Sequence, residues 1–395
     1  MGVLNAGLHW SSYFQPRAIH GNRSEATQSP NFPVLAIALT LTLIGLVMVA
    51  SSSAPAAYEA YSKPEQLFIR QLTAAMMGLL LMLLFIRMDY HKLIQFDSIL
   101  ILAAIGLISL TLIPSIAPGG LWIRLGGFSF QPTEFAKLSL LIFLAASLAR
   151  KVESGEISSF MNGVAPFFVL AGIMALLALA QPDFAMIVLY GAITVFMLLM
   201  AGARLTHVFA PVLAALPPAL ALIMMSDYRR ARLLTFLDPF SDPDGRGYHL
   251  IQSLTALGSG GIFGRGLGAS HEKWLYLPSA YNDFILSIVG EELGLVGLLV
   301  IMALFIYLGW RGFQIALQAP DRFGFLLAGG ITFALVFQAA INFGVTAGVL
   351  PVTGLTLPFV SYGGTSLIIS LAMIGILLNI SKSGPPMRSE GARSF

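Results

Sequence analysis

The chain contains no cysteine. That absence excludes a disulfide framework, a thiolate metal site and a thiol nucleophile, and it leaves the redox compartment undefined. Charge is scarce too: Asp, Glu, Lys and Arg make up 10% of the 395 residues, against 57% hydrophobic residues. Such a balance excludes both an ordinary soluble domain and a disordered chain. The six histidines are scattered, with no ligand-spaced pair, and a net charge of +3 is too small to imply nucleic-acid binding. The polar first 31 residues lack the short apolar core of a cleavable signal peptide and read as a disordered cytoplasmic tail.

What the chain has instead is long apolar runs. About ten of them approach the roughly 20 residues that cross a bilayer, from Phe32–Ser52 to Thr365–Ile380. The expected fold is an all-α polytopic membrane protein of about ten transmembrane helices, with a membrane domain over 32–380 and a cytoplasmic tail over 381–395. A long loop, 226–282, separates the seventh and eighth helices. With both termini inside, the cytoplasmic segments collect Arg87, Lys92, Arg150, Lys151, Arg204, Arg311 and Arg322, as the excess of Lys and Arg on that side requires. The long loop then shares the external face with "GGLWIRLGGFSFQ" and "AGVLPVTGLTLPFVSYGG". All three are rich in glycine, proline, aromatic or amphipathic stretches that lie on or dip into a membrane surface, so function is expected on the outer face.

In so apolar a chain every ionisable group near a span needs a reason. Asp283, in "YNDFILS", either caps the helix that follows or serves a cavity on a thin face with Gly290, Gly294 and Gly297. Glu291 and Glu292 point in different directions and read as structural, bonded to a neighbour or protonated. In "QPTEFAKL", Glu134 and Lys137 are spaced to pair, and the same lysine could open to meet a phosphate. Asp183, behind Pro182 at the head of another span, is by itself more simply a cap than a catalyst. The long loop carries Arg229, Arg230, Arg232, Arg246, Arg265 and Lys273, matched one for one by Asp227, Asp238, Asp242, Asp244, Glu272 and Asp283. Only the arginine cluster at its start favours phosphate recognition. The glycines of "GSGGIFGRGLG" fit neither dinucleotide nor P-loop spacing and read as tight turns.

Three stretches taken together, "LLTFLDPFSDPDGRGYHLIQSLTALGSGGIFGRGLGASHEKWLYLP", "NDFILSIVGEELG" and "GVLPVTGLTLPFVSYGGTSL", resemble the FtsW/RodA/SpoVE family, the SEDS peptidoglycan glycosyltransferases. The resemblance runs from the first span to the last, and "GASHEKWLYLP" and "GLTLP" look more like its division and sporulation branch. It implies a ten-helix protein of the bacterial cytoplasmic membrane that polymerises lipid II, the undecaprenyl-diphosphate-linked disaccharide peptide, on the outer face. The family's catalytic aspartate falls on Asp283. Its "RWI…QPSE" region falls on Trp122, Ile123 and Gln131 to Glu134, its lysine on Lys137, and its "QPD" on Gln181 to Asp183. The chain departs from the pattern at Leu121, where a basic residue is usual, with Arg124 following instead. It departs again at "QPDFAM", at Ser279 and Tyr281, which replace a carboxylate and a histidine, and at Thr353, which replaces a lysine.

The chemistry this implies is compact. A sugar hydroxyl is a poor nucleophile, so a carboxylate that takes its proton speeds attack. A diphosphate leaving group needs positive charge more than a proton. Asp283 is the expected base, and Arg124, Lys137, Arg229, Arg230 and Arg232 are the candidate diphosphate clamp. Trp122, Glu134, Asp183, Lys273 and Ser361 are further candidates for substrate contact, although an interfacial anchor is the commoner fate of a tryptophan placed like Trp122. A divalent cation, Mg or Mn, can take the place of part of the clamp, and no organic cofactor is expected. The resemblance also implies a class B penicillin-binding protein and other divisome proteins as partners. The competing function is a transporter that flips lipid-linked precursor between leaflets.

Overall fold

A computed structural model describes residues 30–383, apart from 126, 127, 182, 226, 244, 246 and 275. Most of both expected tails, 1–29 and 384–395, therefore lies outside the described residues. The helices run in the order α1 (Phe32–Tyr61), α2 (Gln66–Arg87), a single turn α3 (Lys92–Gln95) and α4 (Asp97–Leu110). A hairpin of β1 (Ile123–Leu125) and β2 (Phe128–Phe130) precedes α5 (Pro132–Glu153), α6 (Ala165–Ala180), α7 (Phe184–Met200) and α8 (Leu205–Met224). The long loop holds α9 (Asp227–Leu237) and α10 (Tyr248–Gly260), and α11 (Ile285–Gln318), α12 (Arg322–Thr346) and α13 (Gly364–Ser383) complete the chain.

Ten of the described helices coincide with the ten apolar runs. Spanning helices are the form that satisfies every backbone polar group within one segment where water is absent. Six helices, including α1, α2, α11, α12 and α13, are long and apolar enough to cross a membrane, and α4, α7 and most of α8 are shorter apolar helices. The chain is a multi-pass membrane protein. The β1–β2 hairpin, with Ile123 opposite Phe130 and Arg124 opposite Ser129, was not expected from the sequence, because three-residue strands carry too little alternation to be legible.

Helices α12 and α13 form the centre. The side chains of α13 from Thr365 to Ile380 are buried throughout, with α2 packed along the helix and α12 beside it. Small residues permit this closeness: a Cβ at Gly78 would sit 2.6 Å from a Leu371 methyl, and one at Gly375 would sit 2.6 Å from the Met82 carbonyl. Helix α1 has 30 residues, about 45 Å of helix against an apolar layer of roughly 30 Å. Its last turns, with Tyr58 and Tyr61, therefore project at the end of the bundle that carries the long loop.

Helix α11 departs most from a simple span. At Gly294 the backbone leaves helical geometry, with φ 69° and ψ −167°. The bonds lost there are replaced from the long loop. Arg265 and Gly266 N–H donate to the Glu291 and Glu292 carbonyls at 2.9 and 3.0 Å, while Leu295 and Val296 N–H donate to the Gly261 and Ile262 carbonyls at 3.0 and 3.1 Å. A Cβ at Gly294 would meet Gly264 N and Ile262 O at 2.4 Å each. The glycines read as turns thus also let a returning chain enter the break of a helix. Irregular backbone survives at such a place because protein satisfies it.

Candidate active site

Asp283 sits in the turn between the long loop and α11, one residue ahead of the cap. The helix begins at Ile285, and the cap position is Phe284, which makes no side-chain cap bond. Asp283 therefore does not occupy the capping position, and it does not share a helical face with Gly290, Gly294 and Gly297. The preceding turn is tight: Asn282 N–H and Phe284 N–H both reach the Ser279 carbonyl, at 3.0 and 3.4 Å, and Ser279 itself has a left-handed φ of 56°. A non-glycine residue there is strained by about 1–3 kcal/mol, a cost usually found where backbone is held for function. Asn342 of α12 holds the turn from below, donating from Nδ2 to the Asp283 carbonyl at 3.1 Å and to the Leu355 carbonyl at 2.7 Å. One amide side chain thus pins Asp283 to the loop that leads into α13. The glycine of that loop nearest the carboxylate is Gly354, at φ 78°, where a Cβ would lie 3.7 Å from Oδ2.

Asp283, half-buried as a residue, lines a cavity of about 660 Å³. The walls come from α9 (Thr235, Phe236), from α10 (His249, Leu250), and from Asp242, Ser279 and Val352. A hydroxyl-bearing ligand has room to reach Asp283. Both Asp242 and His249 escaped the sequence reading. His249 is a lone histidine on an amphipathic stretch, and Asp242 is one acid of a charge-balanced loop, so only their convergence marks them.

The other candidates divide by whether their polar atoms are already taken. Lys137 is fully buried, with Nζ 2.5 Å from Glu134 Oε2 and 2.8 Å from Gln338 Oε1. Gln338 passes the network on by donating to the Thr356 carbonyl at 2.9 Å. Lys137 and Glu134 are thus a closed internal pair that does not line the cavity. Lys273 likewise bonds inward, to Glu292 Oε1 (2.9 Å), the Gly268 carbonyl (2.6 Å) and Ser51 (3.1 Å). Glu291 accepts from Arg265, Ser270 and the N–H groups of His271 and Glu272. Both glutamates are structural, as the sequence suggested, but their partners are mostly residues of the long loop, with Ser51 of α1 on Glu292. Ser361 accepts from the Leu357 N–H at 2.8 Å and serves its own turn.

Asp183 lies in the turn before α7. Its carboxylate accepts from Met186 N–H at 3.2 Å and from the Thr133 hydroxyl at 3.5 Å, so it is the cap that its position suggested. By surface area it is only half-buried, yet protein atoms surround it closely. Desolvation pushes its carboxyl up to about 6, the charges of Glu134 and Asp283 add to the rise, and the two hydrogen bonds oppose it. Asp183 and Asp283 therefore share one electrostatic neighbourhood although 100 residues separate them. Trp122 is half-buried and Arg124 exposed at the hairpin. A Thr365 hydroxyl ties that hairpin to α13 by donating to the Ser129 carbonyl at 3.2 Å. Arg230 is exposed on α9, and the side chains of Arg229 and Arg232 lie outside the described residues.

Comparison with known proteins agrees with this architecture. Residues 32–384 match the family described as cell cycle protein, FtsW/RodA/SpoVE. The chain belongs to that family. It is 42% identical over 352 residues to the probable peptidoglycan glycosyltransferase FtsW of Geobacter metallireducens, covering 88% of this chain and 93% of the relative. Stage V sporulation protein E of Bacillus subtilis is 39% identical over 360 residues, covering 90% and 97%. Among solved structures, a peptidoglycan synthase complex that coordinates polymerization and crosslinking superposes with a TM-score of 0.71 at 30% identity, over 89% of this chain and 97% of that one. The rod shape determining protein RodA of Thermus thermophilus gives 0.66 at 27% identity, over 91% and 98%. The family expected from the sequence motifs is the one found.

Proposed function

We infer that this chain polymerises lipid II at the outer face of the bacterial cytoplasmic membrane, with Asp283 as the base. It is a peptidoglycan glycosyltransferase of the FtsW and SpoVE kind. The observation that carries the mechanism is the half-buried Asp283 on a cavity of about 660 Å³, while Glu134 and Glu292 lie off that cavity, each bonded to a lysine. In the reaction the acceptor hydroxyl gives its proton to the Asp283 carboxylate while its oxygen attacks the anomeric carbon of the donor. The bond from that carbon to the diphosphate oxygen breaks, and its electron pair leaves with the diphosphate. A single displacement inverts the centre, and one base suffices because the leaving group needs charge neutralisation rather than an acid.

The neutralising charge comes from arginines rather than from Lys137, whose bonds are taken up inside. Arg124 at the hairpin, and Arg229, Arg230 and Arg232 on the helix that supplies one cavity wall, are the clamp in this reading. Among the described residues no three His, Asp or Glu side chains converge as a metal site. A Mg or Mn ion would need substrate oxygens to complete its shell; Asp242 on the cavity wall would be the residue to hold it, and it would add positive charge at the leaving group. The orientation, with both termini cytoplasmic, rests on the basic residues gathered at the end opposite the cavity. A class B penicillin-binding protein is the partner we assign, since glycan strands must be crosslinked as they are made. Polymerisation of lipid II by the purified chain with that partner, compared between the wild type and Asp283→Asn, tests the reading. Wild-type levels of polymer from a folded Asp283→Asn protein would overturn it, and precursor translocation that survives the change would favour the flippase instead.

A further inference from the structure

Three ion pairs at the long-loop end are closed: Lys137 holds Glu134, Lys273 holds Glu292, and Arg265 reaches Glu291. Arg70, in the second turn of α2, is different. It is half-buried, yet it forms no ion pair among the described residues. Glu59 and Glu65, the acids nearest in sequence, are both exposed, and neither forms an ion pair with it. Its guanidinium lies among phenols instead. It donates to the Tyr61 hydroxyl at 3.0 Å, with its carbon 4.7 Å from the centre of that ring, and its charge acts on the phenol of Tyr362. A guanidinium with only neutral partners keeps its full charge for an anion, and its planar fork suits phosphate oxygens.

This cluster adjoins Asp283. The rings of Tyr362 and Tyr281 meet edge to face at 5.5 Å, and Tyr362 N–H donates to the Tyr281 carbonyl at 2.9 Å. Tyr281 stands two residues before Asp283 and feels its charge. Four separate segments, the end of α1, the start of α2, the turn before α11 and the turn before α13, therefore bring three aromatic rings and one unpaired cation to the site. None of these four residues lines the cavity bounded by α9 and α10. Below Arg70 on the same helix, Met77 and Leu84 are exposed and stand within about 20° and 40° of its direction at 100° per residue. The order along α2 is thus cation first, apolar face after it.

We propose that Arg70, with Tyr61, Tyr281 and Tyr362, forms a second subsite flanking Asp283 that takes the diphosphate and adjoining sugar of a polyprenyl-linked substrate. The proposal rests on the glycosyltransferase reading and assigns a place to the second of its two lipid-linked substrates. The cation meets the diphosphate, the tyrosine faces offer stacking surface to a sugar, and the chain descends along the exposed face of α2. An anionic phospholipid headgroup shares the phosphate chemistry but has no sugar for the rings.

The test uses the full chain in phosphatidylcholine nanodiscs, with undecaprenyl diphosphate and phosphatidylglycerol as separate probes. Arg70→Gln is expected to weaken undecaprenyl diphosphate binding by about tenfold or more, the worth of a charge-assisted bond, with Tm unchanged. Arg70→Lys, which keeps the charge and loses the fork, is expected to fall between, and it serves if Arg70→Gln does not fold. Asp283→Asn is expected to bind this probe as the wild type does while making no polymer. Polymer from Asp283→Asn would remove the assigned base and leave the Arg70 binding result to stand or fall separately. Unchanged undecaprenyl diphosphate affinity in folded Arg70→Gln and Arg70→Lys overturns the subsite. Equal loss of phosphatidylglycerol binding overturns it in favour of a general headgroup site.

Discussion

Asp283 and the pair Glu291 and Glu292 stand within one short stretch of chain, and they meet opposite fates. Both glutamates are completely buried and surrounded by donors: Glu291 by Arg265, Ser270 and two backbone N–H groups, Glu292 by Lys273 and Ser51. Asp283 instead keeps part of its surface open to a cavity. The difference teaches that a carboxylate near a membrane is explained either by its partners or by its access. The glutamates fasten a long loop into a broken helix, whereas the turn that presents Asp283 is held by the Ser279 carbonyl and by Asn342.

The sharpest way to break the contrast is Asp283→Asn. It is expected to lower polymerisation by at least about 10²-fold, the usual worth of a positioned base, while the Tm in detergent stays at the wild-type value. Glu292→Ala is expected to do the reverse. Stripping the partner from a buried ammonium costs about 3–5 kcal/mol, so the Tm falls, and the combination of Glu292→Leu with Lys273→Met recovers much of it. If Glu292→Ala melted like the wild type, the loop clamp would not be structural. Gly294→Ala follows, at about 1–3 kcal/mol for forcing a side chain into backbone geometry that only glycine adopts freely. Limited proteolysis around residues 264–273 should quicken in that variant, and unchanged cutting would count against the docked loop.

The smallest effect is a pH dependence. The folded-state value of Asp183 is raised to about 6, above the roughly 3.9 of an unfolded aspartate, so the folded protein holds this proton more tightly. Its contribution to stability is full below pH about 4 and is lost as pH rises through about 6. Asp183→Asn should flatten that part of the curve when Tm is followed from pH 4 to 8. An identical slope in the variant would assign the dependence elsewhere.

Much of the fold was legible because a bilayer imposes a coarse rule: each span must be largely apolar, and helical wherever nothing else satisfies its backbone. The same rule singled out Asp283, since an acid beside a span is conspicuous. It also raised Lys137 as a clamp candidate and Lys273 as a substrate contact, and both turn out to be bonded inward. Their partners Gln338 and Ser51 lie 201 and 222 residues away, and no local pattern shows that a cation has been neutralised from so far. Arg70 was missed for the converse reason, since an arginine near a helix start looks like an ordinary flanking charge until the nearby Tyr61 and the distant Tyr281 and Tyr362 are found around it.

The apolar runs by themselves determined a multi-spanning bundle, and the ordered motifs determined the family, because hydropathy and local spacing are written residue by residue. Tertiary structure alone decided which charges are spent and which are available. That division depends on which distant donors and acceptors meet in three dimensions, and a polar group inside a membrane protein has a free function only when its neighbours leave it one.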